Sequence, residues 1–198
     1  MALDALCLSA VLEELRSAVQ GGRIDKIYQP GNQDVVLAVR GTAGNVKVLF
    51  SANPSHPRLH LTALDRENPD KPPMFCMLLR KYLTGARILA IEQPYMERVV
   101  TIRLEATDEL GDKVSRSLVL EAMGRHANLI LLDGEERIID CIRRVDGDLT
   151  AGVRQVLPGL FYQLPEPRFG IPPLLERELR FRGEERDLDT AIKEMWDA

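Results

Sequence analysis

The chain has 198 residues, of which 45% are hydrophobic and 28% are charged, and its formal net charge is −4. This length is enough for one substantial domain with a small appendage, and the composition is that of an ordinary globular protein, which excludes fibrous and disordered classes. The acidic balance excludes a surface that is basic overall, although a local basic face would be enough for nucleic-acid binding. Basic residues do gather locally at Arg80-Lys81, Arg87, Arg98, Arg103, Arg125-His126 and Arg143-Arg144. The simplest interpretation of any one such cluster is a solvated strand edge or helix end.

The cysteines and the N-terminus indicate where the protein resides. Cys7, Cys76 and Cys141 are widely spaced and form no CxxC pair, so neither a structural zinc site nor a disulfide framework is expected. The N-terminus lacks the basic region of a signal peptide, and no apolar run approaches the length of a membrane span. A soluble protein of the reducing cytoplasm is therefore predicted.

Two helices and a series of short strands are predicted in chain order. Helical spacing of apolar residues begins after Asp4 and stops at Gly21-Gly22, and a second helix follows Pro72-Pro73 and stops at Gly85. About eight strands are predicted in two groups, one group after each helix. The strand-like runs are 23–29, 35–40, 46–50, 87–92, 98–105, 116–121, 128–132 and 137–142, and 59–61 is a further, shorter run. This order predicts an α+β fold, a two-part antiparallel β-sandwich with flanking helices. Beyond the coarse similarity of the two helix-plus-strand halves, no internal repeat is evident.

The composition changes near the C-terminus. Leu157-Pro158-Gly159 is followed by four prolines between positions 165 and 173, which indicate a linker. Apolar spacing over 174–182 and 188–196 predicts two short helices. We therefore expect a main domain over residues 1–165 and a short helical tail over residues 166–198, such as part of a helix-hairpin-helix region.

Motifs of catalysis and cofactor binding are missing from the sequence. It has no Gly-rich phosphate loop and no GxSxG elbow, and adjacent carboxylates are most simply solvated surface. His56 and His60 are four residues apart, but Pro54 and Pro57 oppose the helix that would bring them together on a metal ion. From these patterns we expect no metal, no cofactor and no catalytic residue.

Two connections between strands carry side chains suited to RNA. Glu97-Arg98 stands at a strand entry, where a carboxylate acceptor beside a planar guanidinium could read base edges or bind a phosphate. Arg125-His126 stands in a Gly-containing connection with Asn128 just after it; arginine and histidine stack on unpaired bases and asparagine bonds base edges. The competing interpretations are an ion pair within a turn and an ordinary hairpin.

Several segments together resemble a known family. They are Asp4-Ala5-Leu6, the run 22–30 (GRIDKIYQP), the run 57–62 (PRLHLT), Asn68-Pro69, the run 73–81 (PMFCMLLRK), the run 121–131 (EAMGRHANLIL) and Leu157-Pro158-Gly159 with Tyr162. In this order they are similar to the N-terminal domain of the RqcH/NEMF (NFACT) ribosome-associated quality-control family. The similarity covers roughly residues 2–165.

The resemblance implies a function that composition does not show. Family members bind the large ribosomal subunit obstructed by peptidyl-tRNA and recruit a charged tRNA for C-terminal tailing of the stalled chain. In bacteria the tRNA is tRNA-Ala. The family fold resembles the N-terminal domain of formamidopyrimidine-DNA glycosylases and is followed by a helix-hairpin-helix, a coiled coil and a second conserved domain. On this basis we expect Glu97, Arg98, Arg125, His126 and Asn128 to form a tRNA-binding face that meets the anticodon arm.

The sequence departs from the family pattern at a few positions. Glu97 stands where the family has Asp in an Asp-Arg pair needed for tailing, which keeps the charge on a longer arm. Ala5 replaces a Gly and Ala127 a Ser. The coiled coil and second conserved domain are absent from this sequence, so the chain alone is not expected to tail nascent chains.

Two other functions remain as alternatives. A DNA glycosylase of the related fold would need an amine nucleophile, commonly an N-terminal proline, where this chain has Ala2 after Met1. An adhesin for fibronectin or fibrinogen is suggested by older names of bacterial family members, but the sequence offers neither a secretion signal nor a membrane anchor.

Overall fold

A computed structural model describes residues 4–42, 44–147 and 154–166. The described part of the chain contains two α-helices, nine β-strands and one 3-10 turn, Gly124–His126. The helices are α1 (Ala5–Val19) and α2 (Met74–Leu83). The strands are β1 (Arg23–Tyr28), β2 (Asp34–Gly41), β3 (Gly44–Ser51), β4 (Arg58–Thr62), β5 (Arg87–Glu92), β6 (Val99–Thr107), β7 (Lys113–Glu121), β8 (Asn128–Leu132) and β9 (Ile138–Cys141). These elements define the α+β class that the sequence predicts.

The strands form one antiparallel sheet in the order β4-β3-β2-β1-β5-β6-β7-β8-β9. The two strand groups expected from the sequence are therefore the two arms of a continuous sheet, joined where β1 meets β5. We define the first half as α1 with β1–β4, and the second half as α2 with β5–β8. Strand β9 extends the second arm. The expectation of two separate sheets needs this correction, because backbone hydrogen bonds cross from β1 to β5.

One hydrophobic core unites the arms and helices. Helix α1 begins at Asp4, whose Oδ1 accepts from the Cys7 backbone N–H at 2.8 Å, and its buried residues recur at helical spacing. Residues from α1, α2 and the inner faces of both arms belong to the same buried cluster. A second, smaller cluster lies on the outer face of the second arm and includes Val99, Val119, Ile130, Ile138 and Val156. The outer face of the second arm is therefore covered, whereas the first arm has no such cluster among the described residues.

A local two-fold axis relates the two halves at the β1–β5 junction. The Gly21 N–H donates to the Ile88 carbonyl at 2.8 Å, and the Gly85 N–H donates to the Ile24 carbonyl at 2.7 Å. Both glycines have positive φ angles, +83° and +81°, which glycine adopts without strain because it has no Cβ atom. Each half also has a register shift at the same place, between Ile24 and Lys26 in β1 and between Ile88 and Ala90 in β5.

The helices obey the same symmetry. The Arg16 Nε of α1 donates to the Ile91 carbonyl of β5 at 2.9 Å, and the Arg80 Nε of α2 donates to the Ile27 carbonyl of β1 at 2.8 Å. Each helix is thus attached to the first strand of the opposite half.

The sequence contains the trace of this symmetry. The segment 23–30 reads RIDKIYQP and the segment 87–94 reads RILAIEQP, so five of the eight positions are identical. The expectation that no repeat exists beyond a coarse similarity was wrong. The shared residues are the ones that form the junction, while the surrounding sequence differs enough to hide them.

The predicted C-terminal helices and the domain boundary near residue 165 cannot be compared with structure, because residues 167–198 lie outside the described ranges. The division into 1–165 and 166–198 stays a prediction.

Candidate nucleic-acid interface

Two of the connections singled out in the sequence lie side by side at one end of the second arm. Val99 pairs with Glu121 at the start of β6, and Glu121 pairs with Asn128 at the start of β8. The Ala122 N–H donates to the Arg98 carbonyl at 2.8 Å and closes the gap between them. Strand pairing therefore brings the Glu97-Arg98 connection beside the one that contains Arg125 and His126.

A compact turn holds the first of these connections. The Gln93 Nε2 donates to the Glu97 carbonyl at 2.8 Å and to the Ala5 carbonyl at the start of α1 at 3.0 Å. Met96, with φ +54°, is fully buried at the centre of the turn. A glutamine amide that bridges two elements fixes the direction in which the chain enters β6.

Within this connection, Glu97 and Arg98 differ in exposure. Glu97 is buried, with 8% of its surface exposed, whereas Arg98 is half-buried. The Arg98 guanidinium donates no hydrogen bond to any described residue. A planar, permanently charged group with five donors and no acceptor is suited to bind phosphate or base oxygens. Of the two, Arg98 is the side chain available to a ligand.

The second connection presents two exposed side chains. Arg125 and His126 lie on the 3-10 turn, and the Arg125 Nε donates to the His126 Nε2 at 3.0 Å. The Arg143 guanidinium donates to the Arg125 carbonyl and supports the turn from the side. The Arg125 guanidinium and the His126 imidazole are therefore held close together at the surface, where these planar groups can stack on an unpaired base.

Asn128 is placed differently from the other expected site residues. It is buried with 1% of its surface exposed, and its side chain bonds the backbone of Arg143 twice. The Nδ2 donates to the Arg143 carbonyl at 2.8 Å, and the Oδ1 accepts from the Arg143 N–H at 3.1 Å. With both ends engaged, Asn128 can position Arg143 but does not itself reach the surface. Because this amide is buried and bonded to the Arg143 backbone, it is not in a position to make the direct contact with a base that the sequence suggested.

Arg143 and Arg144 extend the basic surface. They are exposed next to the Arg125 turn, and Arg144 pairs with the buried Asp140 at 3.3 Å. The sequence signal was the Arg-Arg dipeptide, but nothing in the sequence connected it with Arg125 because the link runs through Asn128. The candidate interface is therefore defined by Glu97, Arg98, Arg125, His126 and Arg143, with Asn128 beneath it.

A buried polar cluster lies behind this interface. The Glu121 carboxylate accepts from the Arg154 guanidinium at 2.5 Å and from the Tyr162 hydroxyl at 2.9 Å. Burial raises the pKa of Glu121 against the opposing effects of Arg154 and Tyr162. Burial, followed by the charge of Glu121, raises the pKa of Tyr162. This cluster fastens the segment 154–166 to the end of β7 and was not anticipated from the sequence.

Comparison with known proteins assigns the chain to a family. Residues 4–195 match the family described as "NFACT N-terminal and middle domains", and the chain belongs to this family. The Bacillus subtilis protein called "Rqc2 homolog RqcH" is 42% identical over 175 residues, which are 88% of this chain and 30% of that protein. The human protein called "Ribosome quality control complex subunit NEMF" is 26% identical over 85% of this chain and 15% of its own length. The chain thus spans less than a third of the length of these relatives.

Solved structures are similar in fold. The N-terminal domain of the fibronectin-binding protein PavA from Streptococcus pneumoniae has a TM-score of 0.82 and 36% identity, covering 93% of this chain and 70% of that chain. The fibrinogen-binding protein from Staphylococcus aureus has a TM-score of 0.73 and 34% identity, and the match covers 88% of this chain and 60% of that chain. These likenesses support the family assignment on structural grounds.

The described ranges contain neither a membrane-spanning helix nor a cluster of metal ligands. No helix there is long and apolar enough to cross a membrane. No group of three or more His, Cys, Asp or Glu side chains is arranged there to hold a metal ion. In particular, His60 lies in β4 with its Nδ1 at 2.7 Å from the Leu61 carbonyl, so the His56/His60 pair is not on a helix.

Proposed function

We propose that this chain is the tRNA- and large-ribosomal-subunit-binding module of a ribosome quality-control factor, which recruits alanyl-tRNA for the C-terminal tailing of stalled nascent chains. The observation that carries the proposal is the similarity, over 88% of the chain, to a protein called "Rqc2 homolog RqcH". The human relative is called a "Ribosome quality control complex subunit", and the chain spans less than a third of the length of these relatives. A cytoplasmic location follows from this role.

The candidate interface supplies the binding chemistry in this proposal. Arg98 donates to base or phosphate oxygens of the anticodon arm, and the buried Glu97 orients the connection from which Arg98 projects. Arg125 and His126 stack on unpaired bases, and Asn128 acts indirectly by holding Arg143 beside them. Sequence readout of RNA commonly works in this way, because unpaired bases expose both their faces and their edges.

The proposal makes the chain a binding module without catalysis of its own. Peptide bonds of the tail would be formed by the ribosome's own peptidyl-transferase centre, and the chain would contribute the position of the tRNA. Positioning alone accelerates a reaction strongly when it converts an encounter into a bound geometry.

Binding of labelled tRNA-Ala and of a non-cognate tRNA, measured over several salt concentrations, tests the proposal. Arg98→Ala should weaken tRNA-Ala binding by about tenfold or more, since loss of a charge-assisted hydrogen bond costs roughly 1.5–3 kcal/mol. It should also reduce the salt dependence if Arg98 contacts a phosphate. Normal thermal stability with undiminished affinity in this variant would remove Arg98 from the interface.

A second candidate function, an adhesin, is favoured by the names of the structural neighbours, which are fibronectin- and fibrinogen-binding proteins. Direct binding of purified chain to fibronectin and fibrinogen at physiological salt tests it. Saturable binding that survives Arg98→Ala and Arg125→Ala would indicate a separate surface, whereas no binding would leave the tRNA role alone.

A further inference from the structure

The candidate interface has a counterpart in the first half of the molecule. The connection 52–57 between β3 and β4 has the same length as the connection 122–127 between β7 and β8. The Ala52 N–H donates to the Gln33 carbonyl at 2.8 Å, as the Ala122 N–H does to the Arg98 carbonyl. By this equivalence Gln33 occupies the place of Arg98.

The tips of the two connections match as well. The His56 N–H donates to the Asn53 carbonyl at 3.1 Å, and the His126 N–H donates to the Met123 carbonyl at 3.1 Å. His56 is therefore the structural equivalent of His126, and both are exposed. We call these connections the His56 turn (52–57) and the His126 turn (122–127).

The two turns touch each other at equivalent residues. A Cβ atom placed on Gly124 would lie 3.8 Å from the carbonyl oxygen of Pro54, its counterpart in the His56 turn. Equivalent residues of two repeats meet only where the local axis passes, so the axis emerges between the turns. The His56 turn and the His126 turn consequently form one continuous surface, and a ligand bound at Arg125 and His126 lies next to His56.

The support beneath the His56 turn also resembles that of its counterpart. The Arg58 Nη1 donates to the His56 carbonyl at 2.9 Å and to the Ser51 Oγ at 3.3 Å. Arg58 occupies the ladder position that corresponds to Asn128, which supports the other turn through Arg143. Arg58 and Arg66 share the single carboxylate of Asp34, so this cluster of three side chains keeps one net positive charge.

A buried amide at the same end of the sheet as the His56 turn lacks a partner. Gln29 is 4% exposed, and its Oε1 accepts no hydrogen bond from the described residues. Its equivalent, Gln93, donates to two carbonyls. Buried polar atoms are nearly always bonded in folded proteins, and an exception calls for a missing partner. A ribose 2′-hydroxyl or an exocyclic amine of a base is a donor of the required kind.

We propose that the RNA-binding face crosses the local axis, so that the His56 turn and the Gln29 amide hold the same unpaired RNA loop that contacts Arg98, Arg125 and His126. This rests on the proposed function, since it names a second half of the same interface. The occupant is an unpaired loop because the exposed histidines on the adjacent turns offer surfaces on which bases can stack. The bases of a duplex are already stacked and paired with each other, so they cannot stack on these side chains.

Five variants of the chain test this, with an RNA hairpin that carries an unpaired loop and a fully paired duplex as probes. His56→Ala should weaken hairpin binding about fivefold or more, the range expected for one stacked base. Ser55→Asp should weaken hairpin binding further. Leu110→Asp adds the same charge in the β6–β7 connection, at the opposite end of β7 from the His126 turn, and should leave hairpin binding unchanged. Gln29→Met should weaken hairpin binding while its thermal stability is equal to or above that of the unchanged chain, because the unpaired oxygen is removed. Arg98→Ala serves as the reference for the half of the interface that the proposed function already includes.

The outcomes separate the inference from the function on which it rests. Loss of hairpin affinity in Arg98→Ala with full affinity in His56→Ala, Ser55→Asp and Gln29→Met overturns the inference and leaves the proposed function standing. Equal losses in Ser55→Asp and Leu110→Asp also overturn it, since the effect would be general repulsion. An unchanged chain that binds neither tRNA nor the hairpin overturns both. Losses in the His56-turn variants with Leu110→Asp unaffected, and no comparable change for the duplex, support it.

Discussion

The two halves of the molecule share one backbone design and differ in what covers their outer faces. In the second half, Val99, Val119 and Ile130 are buried beneath β9 and the segment that includes Val156. In the first half, the corresponding face of β3 and β4 carries Lys47, Arg58 and His60, which are partly exposed. The same helix-and-sheet unit thus occurs twice. Only the second copy has the additional strand β9, and Arg143, which follows β9 and is bonded by Asn128, supports the His126 turn.

The same difference is concentrated at one pair of equivalent residues. Ser51 ends β3 and its Oγ donates to the Asp34 carboxylate at 2.5 Å. Glu121 ends β7 and bonds Arg154 and Tyr162 of the added segment. In the first half this position carries a short neutral side chain that joins the charged cluster of Asp34, Arg58 and Arg66. In the second half it carries a carboxylate that itself forms the ion pair with the added segment.

The largest expected effect comes from removing Arg154. In Arg154→Ala the Glu121 carboxylate stays buried without its cation, which typically costs about 3–5 kcal/mol. The free energy of unfolding from urea denaturation at neutral pH should fall by that amount. Ser51→Ala, which removes the hydrogen bond to Asp34 at the equivalent of Glu121 in the first half, should cost only about 1 kcal/mol. Similar losses in the two variants would show that the halves do not differ at this position.

Raising the pH should lower the free energy of unfolding by a smaller amount, through the ionisation of Tyr162. Because burial and Glu121 raise the pKa of Tyr162, the folded state keeps the phenol proton after the unfolded state has begun to lose it. The stabilisation by Tyr162 is therefore complete below its ordinary pKa of about 10 and is lost as the pH rises above it.

Urea unfolding at about pH 8 and about pH 11 measures this loss. The unchanged chain should lose about 1 kcal/mol more than Tyr162→Phe between these two values. The phenylalanine variant controls for every other group that titrates in the same range. Parallel losses in the two proteins would mean that Tyr162 ionises as easily in the folded state as in the unfolded state.

Local patterns in the sequence predict the helices and strands but not the symmetry that joins them. The spacing of Leu8, Leu12 and Leu15 predicts α1, since one buried face is enough to define a helix. The junction between β1 and β5 depends on hydrogen bonds between backbone atoms distant in sequence, so its only trace is the short repeat at Arg23 and Arg87.

In the candidate site, too, the sequence could not show which side chains the fold leaves free, and Arg98 and Asn128 differ in this respect. Arg98 could be chosen from its residue type and its place at a strand entry, and the structure leaves its guanidinium without a hydrogen bond to the described residues. Asn128 has an equally suitable side chain, but it is turned inward to the Arg143 backbone. Residue type identifies groups that can bind RNA, whereas burial, which depends on the whole fold, decides which of them are free to do so.

The halves also differ at the opposite end of the sheet. In the first half the β2–β3 hairpin closes directly on α1, where the Thr42 Oγ1 donates to the Ser17 carbonyl at 3.3 Å. In the second half the β6–β7 hairpin is longer and leaves a cavity of about 460 Å³ lined by Lys81, Tyr82 and Arg116, among others. Ladder positions make Arg116 the equivalent of Val46.

The smallest expected effect is that of Arg116→Val, which copies the residue of the first half. The buried Arg116 Nε has no hydrogen-bond partner among the described residues, a cost of roughly 1–3 kcal/mol. The guanidinium lies 5.5 Å from the centre of the Tyr82 ring, a contact that contributes about 0.5–1 kcal/mol. Since the cost exceeds the gain, the free energy of unfolding should stay unchanged or rise by about 1 kcal/mol. Val46→Arg, the reciprocal change, should instead be destabilising, because Val46 packs against the hydrophobic core, where a guanidinium would lose its hydration. A clear loss of stability in Arg116→Val would mean that the stacking on Tyr82 outweighs the unpaired donor, and that the open end of the second half is held in place by this arginine.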